Sequence, residues 1–186
     1  EPTLGRRELK DSKEDYSVEA LILDESKREL DGLEKKTLTH KTIHETWILG
    51  KINFDGAFDP HQARSCSGVV ARNSSEEIMA SMTICHKVIY SLLAAEAQAL
   101  WLGLRLGLQC VTIEGDSLTI IKKAKSISKQ KSEIEAIVTN IQQYKERFQH
   151  INFRHISRLG NSLAHHLAKA NLEKGEDIYL VGGVPD

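Results

Sequence analysis

The 186-residue chain has no long apolar run, no paired-cysteine motif, no strong charge of one sign and no internal repeat. Each absence removes a class of protein. No stretch of about 18 residues is free of polar groups, so no membrane-spanning helix is expected. The longest apolar run, residues 92–108, is interrupted by Glu96, Gln98 and Arg105. The first 30 residues are charged and lack the apolar centre of a secretory signal. Three cysteines (Cys66, Cys85, Cys110) are odd in number and widely spaced, with no Cys-x-x-Cys pair. That argues against a disulfide framework and a zinc site, and predicts reduced, buried thiols in the cytosol or nucleus.

The formal net charge is −1, not the basic balance of a tight nucleic-acid binder. Residues 1–46 hold 12 of the 26 acidic and nine of the 25 basic side chains, which leaves the remainder slightly basic. Affinity for phosphate must then come from local clusters.

Residues 1–46 carry dense mixed charge and a thin apolar stripe (Val18, Leu21, Ile22, Leu30, Leu33). They read as a charged extension or linker with at most one helix, and as a candidate protein-docking arm. The globular domain reads as 47–186. A first strand is expected over 47–58, with Ile52 and Phe54 on one face and Asn53 and Asp55 on the other. A second strand follows over 68–72, a turn at 73–76, and a third in which Ile78, Ala80, Met82 and Ile84 alternate. The period then changes. Residues 92–108 predict a buried helix, with Gly103 and Gly107 on the face of Glu96 to admit close approach to a sheet. A strand over 110–114, a short helix from Ser117, a helix from Ser132 with capping-box spacing to Glu135, a strand over 151–156 and a helix capped by Asn161 complete the order βββαβααβα. The stripe of the Ser132 helix is Ile134, Ile137, Val138, Ile141 and Phe148.

Three carboxylates stand out in this frame. Asp55 ends the alternating stretch Lys51-Ile52-Asn53-Phe54-Asp55, Glu96 lies inside the apolar helix, and Asp116 follows the strand-like Val111-Thr112-Ile113-Glu114-Gly115. A buried carboxylate without a partner costs several kcal/mol. Carboxylates that converge call for a cation, and oxygen donors suit magnesium or manganese. The pattern points to metal-assisted phosphoryl chemistry. The bland alternatives are a simple turn at Asp55-Gly56, a solvent-facing Glu96 and a helix cap at Asp116, a task for which Ser117 competes.

Four motifs in order resemble the ribonuclease H-like superfamily, and most of all its plant retroelement-type branch. They are Ile52-Asn53-Phe54-Asp55-Gly56-Ala57, Ala94-Ala95-Glu96-Ala97-Gln98-Ala99-Leu100, Glu114-Gly115-Asp116-Ser117, and Phe153-Arg154-His155-Ile156-Ser157-Arg158 running on to Asn161-Ser162-Leu163-Ala164-His165-His166-Leu167-Ala168. The likeness covers roughly residues 47–172. It implies an α/β fold with a five-stranded mixed sheet, three antiparallel strands then parallel additions, and helices on both faces. It implies an endoribonuclease that cuts the RNA strand of RNA–DNA hybrids with two magnesium ions, one activating water and one stabilising the leaving oxygen. Asp55, Glu96 and Asp116 would be the metal ligands, and the enzyme would read 2′-hydroxyls along the minor groove.

The family's fourth acidic position falls on His165, one helical turn after Asn161. Imidazole holds magnesium poorly and can ligate manganese, so one of the two metal sites is expected to be weak. Gly56, Ala57, Ser117, Asn161, Lys122 and Lys123 are candidate substrate contacts, and His155 is a candidate for proton transfer to the leaving oxygen. Lys122, Lys123, Lys125, Lys129 and Lys131 form either a phosphate-tracking patch or a solvated face. His165 beside His166 makes no zinc pair, because adjacent helical residues do not face each other. Two other functions stay open: a nucleic-acid-binding module that has lost turnover, and a protein-interaction domain docking through 1–46. A monomer is the expected state.

Overall fold

The computed structural model describes residues 49–87, 89, 91–106, 108–126 and 134–185. The expectations for 1–46, Trp47, Gly107, Lys129, Lys131 and the Ser132 cap lie outside the described residues. Strand β1 (Leu49–Asp59) pairs antiparallel with β2 (Arg64–Asn73), which pairs antiparallel with β3 (Ile78–His86). Asn73 builds the turn between the latter two: its Oδ1 accepts from the backbone N–H groups of Ser75 (2.9 Å) and Glu77 (3.0 Å). Helix α1 (Leu92–Leu104) follows, started by Ser91, whose hydroxyl accepts from Ala94 N at 3.1 Å. Then come β4 (Cys110–Gly115), α2 (Leu118–Lys125), α3 (Glu135–Lys145), β5 (His150–His155), α4 (Ser162–Lys174) and β6 (Ile178–Val181).

The sheet order is β5-β4-β1-β2-β3-β6, with β4 parallel to both β1 and β5. The expected mixed sheet and its three-strand meander are present, but the sheet has six strands, not five. The extra strand, β6, is four residues long and pairs antiparallel with β3. It covers an edge that would otherwise present unpaired backbone groups. The first helix is also shorter than its apolar run, ending at Leu104.

Two glycines show how the layers pack. A Cβ on Gly56 would lie 2.5 Å from Glu96 N, so only glycine lets α1 approach β1 this closely. A Cβ on Gly68 would lie 2.4 Å from the Ala164 carbonyl of α4. Gly68 is the register partner of Asp55, one residue out of phase with Gly56, so α4 and α1 occupy opposite faces. Ile52 and Phe54 face α1 and are fully buried, and Asn53 and Asp55 face α4. Helices α2 and α3 join α1: Ile120, Ile121 and Ala124 of α2, and Ile137 and Ile141 of α3, are buried in the same core. Tyr144 of α3 sits edge-on to Trp101 of α1, with ring centres 5.2 Å apart. Two side chains of α3 fasten it to α2, with Gln142 Nε2 and Lys145 Nζ both donating to the Ala124 carbonyl. This double-faced packing brings the middle of β1 and the carboxyl end of β4 together beside the first turn of α4.

Candidate active site

Asp55, within β1, and Asp116, just past the end of β4, meet there. Both are bound to one cation, Arg158, in the loop between β5 and α4. Its Nη1 donates to Asp55 Oδ2 at 2.8 Å and its Nε lies 2.8 Å from Asp116 Oδ2. Asp55 is 1% exposed, whereas the Arg158 side chain is 55% exposed. The arginine therefore reaches in from solvent to a buried carboxylate. Sequence reasoning placed Arg158 inside a motif and gave it no role. The available signal was charge balance: three semi-buried acids needed a positive partner, and a loop arginine three residues before Asn161 could reach them.

His165 lies on the first exposed turn of α4. Its Nδ1 is 2.8 Å from Asp55 Oδ2 and 2.6 Å from Arg158 Nη1. One nitrogen cannot serve both. Protonated, Nδ1 donates to the carboxylate; unprotonated, it accepts from the guanidinium. Asn161 occupies the N-cap position of α4, yet its side chain makes no cap bond. Its Nδ2 instead donates to the Phe54 carbonyl (2.9 Å) and to Asp116 Oδ1 (2.8 Å), which locks β1, β4 and α4 together. The expected cap is thus replaced by a site bond. Asn161 Oδ1 is buried and has no hydrogen-bond partner among the described residues.

Glu96, in α1, is 8% exposed and takes a hydrogen bond from the Ser117 hydroxyl. Ser117 stands at the N-cap of α2 without capping it, so the serine also serves the site. Burial raises the Glu96 carboxyl above its ordinary value; the Ser117 bond opposes this, and the Asp55 and Asp116 charges add to it. Asp55 is raised too, first by desolvation and then by Asp116, against the lowering effects of His165 and Arg158. Even with a guanidinium at hand, the acids are short of positive charge.

The remaining candidates fall as follows. His155, at the end of β5, donates from Nε2 to the Asp116 backbone carbonyl at 3.1 Å and touches no carboxylate of the cluster. Gly56 and Ala57 are buried. Lys122 is exposed and Lys123 half-buried on α2. Glu114, to which sequence reasoning gave no role, is buried on β4. It is paired with Arg154 and accepts from Asn53 Nδ2 at 3.3 Å.

Among the described residues, no group of three His, Cys, Asp or Glu side chains is arranged to hold one metal ion. The Arg158 guanidinium lies between Asp55 and Asp116. The donor set still fits a hard cation. Two acids from different strands already share one positive group at 2.8 Å, and a third acid feels both of their charges.

A family described as reverse transcriptase-like matches residues 53–171, which include Asp55, Glu96, Asp116, Arg158, Asn161 and His165. The chain belongs to this family. It is a ribonuclease H-like domain by fold as well. The ribonuclease H1 of the archaeon Halobacterium salinarum superposes with a TM-score of 0.62 at 20% identity, covering 68% of this chain and 98% of that one. The N-terminal ribonuclease H domain of a Mycobacterium tuberculosis protein gives the same score and identity over 68% and 95%. LC11 ribonuclease H1, solved in complex with an RNA/DNA hybrid, superposes at 0.60 with 22% identity over 68% and 98%. These identities speak for the ribonuclease H-like fold. No curated protein matches in a sequence search.

Proposed function

We propose that this ribonuclease H-like domain is a divalent-metal-dependent endoribonuclease that cuts the RNA strand of RNA–DNA hybrids. The observation that carries the reading is the pair of acids from β1 and β4 gathered on a single cation, with Glu96 and His165 beside them. Asp55, Glu96 and Asp116 would hold magnesium or manganese, and His165 is the fourth corner. Bound there, the metal would supply an activated water and neutralise charge on the leaving oxygen.

The chain's own residues do the rest. Asn161 fixes the Asp116 carboxylate and the β1 backbone at Phe54. Ser117 orients Glu96. His155 holds the Asp116 backbone through Nε2, which leaves its Nδ1 to meet a leaving group. Lys122 and Lys123 offer charge to the backbone phosphates one helix away. The experiment is cleavage of a hybrid with a labelled RNA strand, in magnesium and then in manganese. Manganese is expected to support the faster reaction, because imidazole ligates it better. Folded protein that cuts in neither metal overturns the reading.

One observation favours a second reading, a binding module that has lost turnover. Arg158 already fills the seat between the aspartates, and the fourth acid is a histidine. That protein would bind hybrid with a steep salt dependence and leave it intact.

A further inference from the structure

Two of the three cysteines are not isolated. Cys66 of β2 and Cys85 of β3 are direct register partners, with their sulfurs 2.7 Å apart. The ladder explains the closeness. The backbone N–H of Cys85 does not bond across to Cys66 but donates to Asp177 Oδ1 at 2.9 Å. Cys66 and Cys85 therefore form a non-hydrogen-bonded pair, the kind in which opposed antiparallel residues approach most closely, at about 4.5 Å between Cα atoms. That spacing lies inside the range a disulfide spans. Opposed residues also point to the same face, so neither sulfur has to turn through the sheet to reach the other.

The two sulfurs are chemically unequal. Cys66 is fully buried and Cys85 partly exposed. Asn171 of α4 donates from Nδ2 to Cys85 Sγ at 3.2 Å. Either sulfur can donate across the 2.7 Å contact, and the Cys85 S–H also reaches the Asn171 carbonyl at 3.5 Å. The contact with Cys66, with Arg64 helping against burial and Asp177, holds the Cys85 thiol below its ordinary value. The same contact, with burial, holds Cys66 above its ordinary value. Cys85 is thus the sulfur a solvent-borne oxidant can reach, and Cys66 lies within bonding distance behind it.

We propose that Cys66 and Cys85 form a reversible redox modification site, an intramolecular cross-strand disulfide made when a hydroperoxide reaches Cys85. The Cys85 thiolate attacks the peroxide oxygen, the O–O bond breaks, and the departing alkoxide or hydroxide takes up a proton. Cys85 is left as a sulfenic acid. Cys66 sulfur then attacks Cys85 sulfur; the S–S bond forms, the S–O bond breaks, and the Cys66 proton leaves with the hydroxide as water. Two thiols are oxidised and one peroxide is reduced. A dithiol reverses the change by exchange. The bond would tie β2 to β3 under the second half of α4 and leave the carboxylate cluster untouched, so it stands apart from the nuclease reading.

The test is titration of free thiols and peptide mapping on the folded full chain, before and after dilute hydrogen peroxide. Three free thiols should fall to one, the mapped link should join residues 66 and 85 with loss of two hydrogens, and dithiothreitol should restore all three. Cys110→Ser should leave the link intact. In Cys66→Ser, Cys85 should be trapped as a sulfenic acid by a dimedone probe. Retention of all three thiols in the treated wild type, or a link that runs through Cys110 or between molecules, overturns the proposal. The wild-type measurement alone decides it if a variant fails to fold.

Discussion

Removing Arg158 should move stability and metal affinity in opposite directions. Arg158→Ala deletes two charge-assisted contacts at 2.8 Å, to Asp55 and Asp116. Each such bond contributes about 1.5–3 kcal/mol when desolvated. The Asp55 end is buried, but the arginine is half in water and must be ordered to reach inward. Screening and side-chain entropy bring the sum down to about 1–2 kcal/mol. Without metal, the variant should therefore melt a few degrees lower, on the order of 5 °C. A divalent ion entering the wild-type site must displace the guanidinium; in the variant Asp55 keeps His165 and Asp116 keeps Asn161, but no cation stands between the two acids. At about 1.4 kcal/mol per factor of ten, the variant should bind magnesium or manganese roughly tenfold more tightly. Thermal melts in chelator and calorimetric metal titrations read the two quantities. A variant that melts like the wild type and binds metal no better would show that Arg158 merely rests on the surface.

The raised carboxyls give a pH prediction. For an acid whose folded value lies above its unfolded one, the folded state holds the extra proton between the two values. Stability therefore falls as pH rises from the ordinary 3.8 of Asp55 and 4.5 of Glu96 through their higher folded values. In metal-free buffer, Asp55→Asn should flatten that fall and raise stability at neutral pH by about 1 kcal/mol while abolishing cleavage; urea melts at several pH values decide it, and a destabilised Asp55→Asn would contradict the account. His165→Asp should raise magnesium affinity by at least about tenfold and speed cleavage, read by calorimetry and hybrid turnover. Lys122→Ala with Lys123→Ala should weaken hybrid binding uniformly across sequences and lower the salt slope by about one to two units, checked by binding isotherms at several salt concentrations.

Much of the fold was legible because its periods are clean. The alternation through Ile52–Asp55 and Ile78–Ile84 gave the meander, and the run containing Glu96 gave a helix buried almost all round. The short strand Ile178–Val181 was not legible, since four residues carry too little alternation and its partner edge exists only once β3 is folded. Of the site, the three acids and Asn161 could be picked out individually. The role of Asn161 could not, because local rules favour a cap, and the side chain is drawn off by a buried carbonyl and Asp116 that only the tertiary fold supplies. Arg158 was hidden for a similar reason: a loop arginine looks like any solvated charge until two strands bring their acids to it. The Cys66–Cys85 pair is invisible at a separation of 19 residues until the register of β2 and β3 is known.

On the proposed function, Asp55, Glu96 and Asp116 would form one seat for a divalent cation. Manganese titration followed by electron paramagnetic resonance measures this without any substrate, since bound ions lose the sharp signal of the free aquo ion. Wild-type protein should deplete the free signal, and Asp55→Asn and Asp116→Asn should leave it nearly unchanged. Wild-type protein that leaves the signal of free manganese intact at millimolar concentrations would contradict the proposed seat.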